Sequence, residues 1–224
     1  MQRVWCDEPF SGSDRFERTV PVIDNPAFRE QRSVSVPQRI RVFVAIELPA
    51  SVREWVIQLQ QSLSGRDIDV RWVKLPHVHL TLKFLGEVQD RLIPEICDCV
   101  KGVSQSCDPF SMKLSDLGAF PNIDNPRTLW IGVAQGSDQL MTLHSKLENE
   151  LEKFGLVPES RRFTPHVTLG RIRNVASKSE ISRKLCMSKA CESEAVSVKE
   201  LAVMSSELSS EGPQYRRMGR AALG

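Results

Sequence analysis

Two segments of this chain open in the same way: His79-Leu-Thr-Leu82 and His166-Val-Thr-Leu169. Each lies in a run rich in β-branched and apolar residues, His79 to Leu85 and Phe163 to Arg171, that reads as a strand. In a strand, residues i and i+2 leave the same face. His79 therefore points with Thr81, and His166 with Thr168. Leu80, Leu82 and Phe84 face the other way on the first strand, as Val167 and Leu169 do on the second. With four histidines in the chain and six threonines to meet them, two such pairs arise by chance less than about once in a hundred. A fold that suits this pattern has an apolar layer behind each strand and turns both His/Thr faces to water or to a cleft.

The surrounding segments repeat one grammar. Arg41 to Leu48 reads as a buried strand ending at Pro49. Ser51 and Glu54 form a capping box, the signature of a helix start. Val52, Trp55, Val56, Leu59 and Leu63 follow at helical spacing, and Gly65 is placed to close that helix. Val70 to Lys74 is strand-like, and Asp90 to Val103 reads as a helix. In the second half, Phe110 to Leu117 and Thr128 to Val133 read as strands around a turn-rich stretch. A helix from about Ser137 carries Leu140, Leu143, Leu147, Leu151 and Phe154 on one stripe. Ser177 and Glu180 form a second capping box, Val196 to Met204 is strand-like, and Tyr215 falls in a last edge strand. Strands and helices alternate in both halves, each with one His-x-Thr strand. Two similar lobes are expected, related by an internal duplication.

Residues 1–38 break the pattern, with mixed charges, four prolines and few apolar residues; they read as a flexible extension. The domain proper is expected to run from 39 to 224. The chain carries 30 basic and 28 acidic side chains, a formal net charge of +2, so no broad basic surface for coating long nucleic acid is expected, while a short RNA end needs none. Val42 to Ile46 is far shorter than the roughly 20 residues that span a bilayer, and residues 1 to 10 lack the form of a signal peptide. A soluble, cytoplasmic protein is expected. Of six cysteines, Cys97 and Cys99 are two apart on a helix and do not share a face; buried, reduced thiols are expected rather than a zinc clamp or a disulfide framework.

Two imidazoles facing a cleft can act near neutral pH as base and acid at once. Threonine hydroxyls beside them can donate to non-bridging phosphate oxygens. A phosphodiester held between the two pairs suits that chemistry, with water activated on one side and an alkoxide protonated on the other. A 2′,3′-cyclic phosphate, with its ring strain, is a favourable substrate for such a site.

These motifs resemble the two-histidine phosphoesterase superfamily, specifically its LigT-like RNA 2′,3′-cyclic phosphodiesterase branch. The resemblance extends through Arg41-Val-Phe-Val-Ala-Ile-Glu-Leu-Pro49, Arg71-Trp-Val-Lys74, His79-Leu-Thr-Leu-Lys-Phe-Leu-Gly86, Gly118-Ala-Phe-Pro121 and Leu129-Trp-Ile-Gly132. It continues in Phe163-Thr-Pro-His-Val-Thr-Leu-Gly-Arg171 and in Ser206-Glu-Leu208 with Gly212 and Tyr215. It implies a bilobal α+β fold, with two pseudo-symmetric lobes whose antiparallel sheets line a central cleft and whose helices lie outside. It implies that His79 is the proton donor to the leaving 3′ oxygen and His166 the proton acceptor that activates water. Thr81 and Thr168 would bind phosphate oxygens. Arg171 matches an arginine near the family's site, although simple alternation puts it on the opposite face from His166, so its role requires a bulge or a strand end. Ring opening would leave a 2′-phosphate without metal or cofactor, and some relatives also run the reverse 2′–5′ ligation of tRNA halves. RNA with a cyclic-phosphate end, tRNA fragments included, is the implied partner of a monomeric enzyme. Gly170 stands where relatives often carry alanine, a change expected to matter little.

Other readings remain open at this level. His77, His79 and His166 form a candidate three-histidine zinc site for metal-assisted hydrolysis. A non-catalytic protein that binds RNA ends would use the same cleft. Phe43 is a candidate to stack a base, or simply a buried strand residue. His144 reads as a surface or boundary residue, and Trp5, Trp55, Trp72 and Trp130 read as core.

Overall fold

The computed structural model describes residues 38–66, 68–174, 177–187, 192–209 and 212–224. All but the last residue of the expected extension, together with Trp5, Cys6 and Cys191, lies outside the described residues. The first half of the domain runs β1 (Arg39–Glu47), α1 (Ala50–Leu63), β2 (Val70–Trp72), β3 (His79–Gln89), α2 (Ile93–Gln105) and β4 (Phe110–Phe120). The second half runs β5 (Thr128–Gln135), α3 (Ser137–Leu151), β6 (His166–Ile172), α4 (Ser177–Met187), β7 (Val196–Val198), β8 (Glu200–Ser209) and β9 (Gly212–Ala222).

The nine strands of the described residues follow the order β7-β4-β5-β6-β3-β1-β8-β9, with β2 paired to β6 beside this path, and each of their pairings is antiparallel. The order is a two-fold pattern about the seam between β6 and β3. On each side a His-x-Thr strand returns antiparallel to the strand that opened its unit, β3 on β1 and β6 on β5. The lobes are not contiguous halves of the chain. The early strand β2 completes the second lobe, and the late strands β8 and β9 complete the first.

The helices lie where the apolar stripes require. α2 packs on β8, β9 and α3; α3 packs also on β3; and α1 packs on β6 and α4. Between them and the sheet sits the core, including Val42, Val44, Ile46, Leu80, Leu82, Ile131, Val167 and Leu169. Full burial of each such side chain contributes on the order of 1.5–3 kcal/mol.

Several local expectations differ from the structure. No side chain caps α1, and the Ser51 hydroxyl donates instead to the carboxylate of Glu194. α1 stops at Leu63 because Ser64 turns extended, its hydroxyl donating to the Gln60 carbonyl, and not through a left-handed Gly65. At α4, the Ser177 side chain lies outside the described residues, so its capping box is not tested, and Glu180 pairs with Arg183 one turn on. The run from Val196 to Met204 divides into β7, an edge strand beside β4, and β8, which lies between β1 and β9 toward the other end of the path. Cys97, Cys99 and Cys107 are free and half-buried, whereas Cys186 is exposed rather than buried.

Candidate active site

Leu80 of β3 lies directly opposite Val167 of β6. Extending this antiparallel register by one residue each way sets Thr168 across from His79 and His166 across from Thr81. The four residues of the two motifs thus share the cleft face of the seam. Each imidazole is held in the same way. The Nδ1–H of His79 donates to the His77 carbonyl at 2.7 Å, and that of His166 to the Thr164 carbonyl, also at 2.7 Å. These tethers select the tautomer that leaves Nε2 without a proton and able to accept one. On the first strand, the Thr81 hydroxyl donates to Nε2 of His79 at 3.0 Å.

Aromatic rings wall both histidines. Phe43 stacks on His79 with centroids 5.0 Å apart, and Tyr215 meets the same ring edge-on at 5.3 Å. Phe120 stands edge-on to His166 at 5.0 Å, with Trp130 at 6.0 Å. Burial against these rings holds both pKa values below the ordinary imidazole range, because desolvation disfavours the charged form. The charge of His166 lowers the His79 value a little further.

Both motif strands then break their alternation at the same place. In β3, Thr81 pairs with Ala45 and Lys83 with Val44, so Leu82 is an extra residue. In β6, Thr168 pairs with Trp130 and Gly170 with Leu129, so Leu169 is the extra one. A bulge shifts every later side chain to the other face. Arg171 consequently emerges on the face of His166, through a bulge of the kind its expected role called for. By the same shift Phe84 does not turn to the core. It is 63% exposed on the cleft side, with its ring 6.0 Å from Phe43. Phe84 and Arg171 stand five residues after their histidines, so the two-fold pattern matches an exposed ring with a guanidinium.

The residue turned inward in β3 is Lys83, 1% exposed, whose Nζ pairs with Glu148 of α3 at 2.6 Å. Both bulge carbonyls are capped from the helix of the other unit. His144 of α3 donates Nδ1–H to Leu82 O at 2.9 Å, and Gln60 of α1 donates Nε2–H to Leu169 O at 2.9 Å. His144 is a partnered boundary residue, stacked on Phe163 at 4.1 Å.

Phe43 is 3% exposed and lies beneath His79, so the buried reading holds for it. Trp55 and Trp72 pack on the core, whereas Trp130 lies on the cleft face, where a β-carbon on Gly118 would come within 2.2 Å of its ring. Gly170 is tighter than its expected interchangeability with alanine suggests: a β-carbon there would fall 2.6 Å from Val70 and 2.9 Å from Trp72. His77 sits in a 3-10 turn ahead of β3, edge-on to Tyr215 at 4.9 Å, rather than on the strand. Among the described residues no three His, Cys, Asp or Glu side chains gather closely enough to hold a metal ion, so the three-histidine set is not assembled. Sequence reasoning missed Phe84, Trp130, Phe120 and Tyr215 as cleft residues; equal spacing after the two histidines is the one signal that pointed to Phe84.

The sequence model of the family described as LigT like phosphoesterase matches the chain twice, over residues 46–130 and 131–215, so that each match holds one motif. An RNA 2′,3′-cyclic phosphodiesterase of Aquifex aeolicus is 33% identical over 188 residues, covering 83% of this chain and 98% of its own. One of Methanothermobacter thermautotrophicus is 29% identical over 180 residues, covering 80% and 97%. E. coli LigT, crystallised in complex with 3′-AMP, superposes with a TM-score of 0.67 at 25% identity, covering 83% of this chain and 99% of that one. No helix among the described residues is long and apolar enough to cross a membrane. With one family match on each unit and relatives aligned almost end to end, this chain belongs to the LigT-like phosphoesterases of the two-histidine superfamily.

Proposed function

We propose that this protein hydrolyses RNA 2′,3′-cyclic phosphate ends to a 2′-phosphate by metal-independent acid–base catalysis between His79 and His166. The observation that carries this reading is the matched tethering of the two imidazoles across one antiparallel seam, each bound through Nδ1 to a carbonyl two residues back. The relatives named as RNA 2′,3′-cyclic phosphodiesterases support the substrate class.

In this mechanism neutral His166 accepts a proton at Nε2 from water, whose oxygen attacks phosphorus. The P–O3′ bond breaks, and protonated His79 delivers the Nε2 proton to the departing 3′ oxygen. The products are a 3′-hydroxyl and a 2′-phosphomonoester. Proton count is conserved, and the two histidines exchange protonation states until solvent resets them. Thr81 and Thr168 donate to the non-bridging oxygens as negative charge builds there. Arg171 adds positive charge from the same face. With an RNA 5′-hydroxyl in place of water, the same groups run the 2′–5′ ligation.

The test uses purified protein, excess EDTA and a short RNA ending in a 2′,3′-cyclic phosphate. Conversion to a 2′-phosphate is expected. A 3′-phosphate product would overturn the assigned roles of the histidines. No turnover until zinc is restored would return the case to metal-assisted hydrolysis, and binding without turnover would make the protein an RNA-end binder.

A further inference from the structure

Beyond the histidines and Arg171, the cleft face carries a second arginine, Arg71, to which the reaction at the terminal phosphate assigns no role. Arg71 of β2 lies directly opposite Arg171 of β6, so both side chains leave the same face. The bulge at Leu169 makes this the face of His166 and Thr168. Like charges directly opposite one another destabilise a sheet, and neither guanidinium joins an ion pair among the described residues. Both residues are exposed. Both also reach toward β9 of the other lobe. A β-carbon placed on Gly212 would lie 3.0 Å from Nη2 of Arg71, and the charge of Arg171 acts on the Tyr215 hydroxyl, whose ring abuts His79. The pair thus closes one end of the cleft, with Arg171 about 7 Å along the strand from Thr168. One nucleotide of RNA backbone spans a comparable distance. Two adjacent guanidinium forks with no ion-pair partner among the described residues suit a phosphate, which each can grip through paired N–H donors.

We propose that Arg71, with Arg171 beside it, binds the internal phosphate on the 5′ side of the terminal nucleotide, so that the site selects RNA ends over mononucleoside cyclic phosphates. This rests on the reading that the His/Thr face holds the terminal cyclic phosphate. Specificity then comes from the backbone of the RNA end and not from its base sequence.

The experiment compares 2′,3′-cyclic AMP with a dinucleotide ending in a 2′,3′-cyclic phosphate, using wild type and Arg71→Gln. The ratio of kcat/KM for dinucleotide over mononucleotide is expected to fall on the order of tenfold in the variant, mainly through KM. The salt slope of log KM for the dinucleotide should flatten by about one. A dinucleotide whose internal linkage is an uncharged methylphosphonate provides the check that needs no variant: wild type should lose on the order of tenfold on it, and Arg71→Gln should lose far less. Equal loss on both substrates in Arg71→Gln, or a methylphosphonate turned over as well as the phosphodiester, would overturn the proposal. Turnover of the mononucleotide without any preference for the dinucleotide would do the same while leaving the proposed activity standing. Turnover of neither substrate by wild type would remove that activity, and this proposal with it.

Discussion

The Nδ1–H of His144 caps the carbonyl oxygen of Leu82, the residue at which β3 bulges. Gln60 repeats the relationship across the pseudo-two-fold axis, capping the bulge carbonyl of Leu169 in β6 and reaching the Val73 carbonyl as well, at 3.0 Å. Each helix therefore braces the motif strand of the other unit. The Leu169 carbonyl also accepts from the Val73 N–H at 2.9 Å, so Gln60 supplies a second hydrogen bond there, and a hydrogen bond of this kind contributes about 0.5–1.5 kcal/mol net. Gln60→Leu is expected to lower stability by about that amount for each of its two hydrogen bonds, read from the denaturant midpoint. Loss of the brace should also free Thr168 and Arg171, so kcat falls in the folded variant. Unchanged stability and kcat would mean the bulge holds without its cap.

Replacing either histidine tests the proposed chemistry directly. His79→Ala and His166→Ala are each expected to reduce turnover of a cyclic-phosphate RNA by about 10²- to 10⁴-fold, the range of a lost general acid or base. Circular dichroism should stay that of wild type, since both rings line the cleft. Thr81→Ala and Thr168→Ala should be milder, about ten- to hundredfold, because each removes one hydrogen bond to a charged group. Near-wild-type turnover in either histidine variant would refute the two-histidine mechanism.

Acid conditions should weaken the fold through the same residues. Both imidazoles have folded pKa values below the ordinary range, chiefly through burial. Between those values and about 6.5 the unfolded chain binds more protons than the folded one. Their contribution is whole above about pH 6.5 and is lost as pH falls through the folded values. The melting temperature should drop from about pH 7.5 to about pH 5.5, and by less in His79→Gln. In kcat/KM, the pair should titrate as a coupled bell whose limbs both lie on the acid side of 6.5. An alkaline optimum would contradict these shifts.

The Lys83–Glu148 pair offers a stability test away from the chemistry. Lys83 is fully buried and Glu148 nearly so, and removing one partner strands the other charge. Glu148→Ala should cost about 3–5 kcal/mol by chemical denaturation. The apolar double change Lys83→Met with Glu148→Leu should recover most of it. A single variant as stable as wild type would show that Lys83 escapes to solvent.

Phe84 presents an exposed ring at the place that Arg171 holds on the other strand. Aromatic stacking on a base is worth about 1–3 kcal/mol. Phe84→Ala is therefore expected to raise KM for the RNA with little change in kcat. Equal KM values would assign the ring to packing on Phe43 alone.

Much of this was legible in the chain itself. The period of two put His79 with Thr81 and His166 with Thr168, and the apolar alternation named Leu80 and Val167 as inward residues. The period of 3.6 located α1 and α3, whose stripes Val52–Val56–Leu63 and Leu140–Leu143–Leu147–Leu151 are buried. These are short-range signals, because which face a side chain leaves depends only on its neighbours in the same element. The capping box at Ser51 failed for a long-range reason: its hydroxyl found Glu194 instead.

What alternation alone could not supply was the face of any residue after Thr81 or Thr168. That depends on the bulges at Leu82 and Leu169, which are set by the partner strands and held by His144 and Gln60 from distant helices. Phe84 and Lys83 accordingly exchanged places relative to the pattern, and Arg171 crossed to the site. The walls around the histidines likewise come from β1, β4, β5 and β9, joined only by pairing across the folded sheet. The sequence by itself determined the two His/Thr pairs and the helical stripes behind them, because periodicity is local. Only the tertiary structure decided that the pairs meet at Leu80 and Val167, and which side chains surround them, because strand register is a contact between residues far apart in the chain.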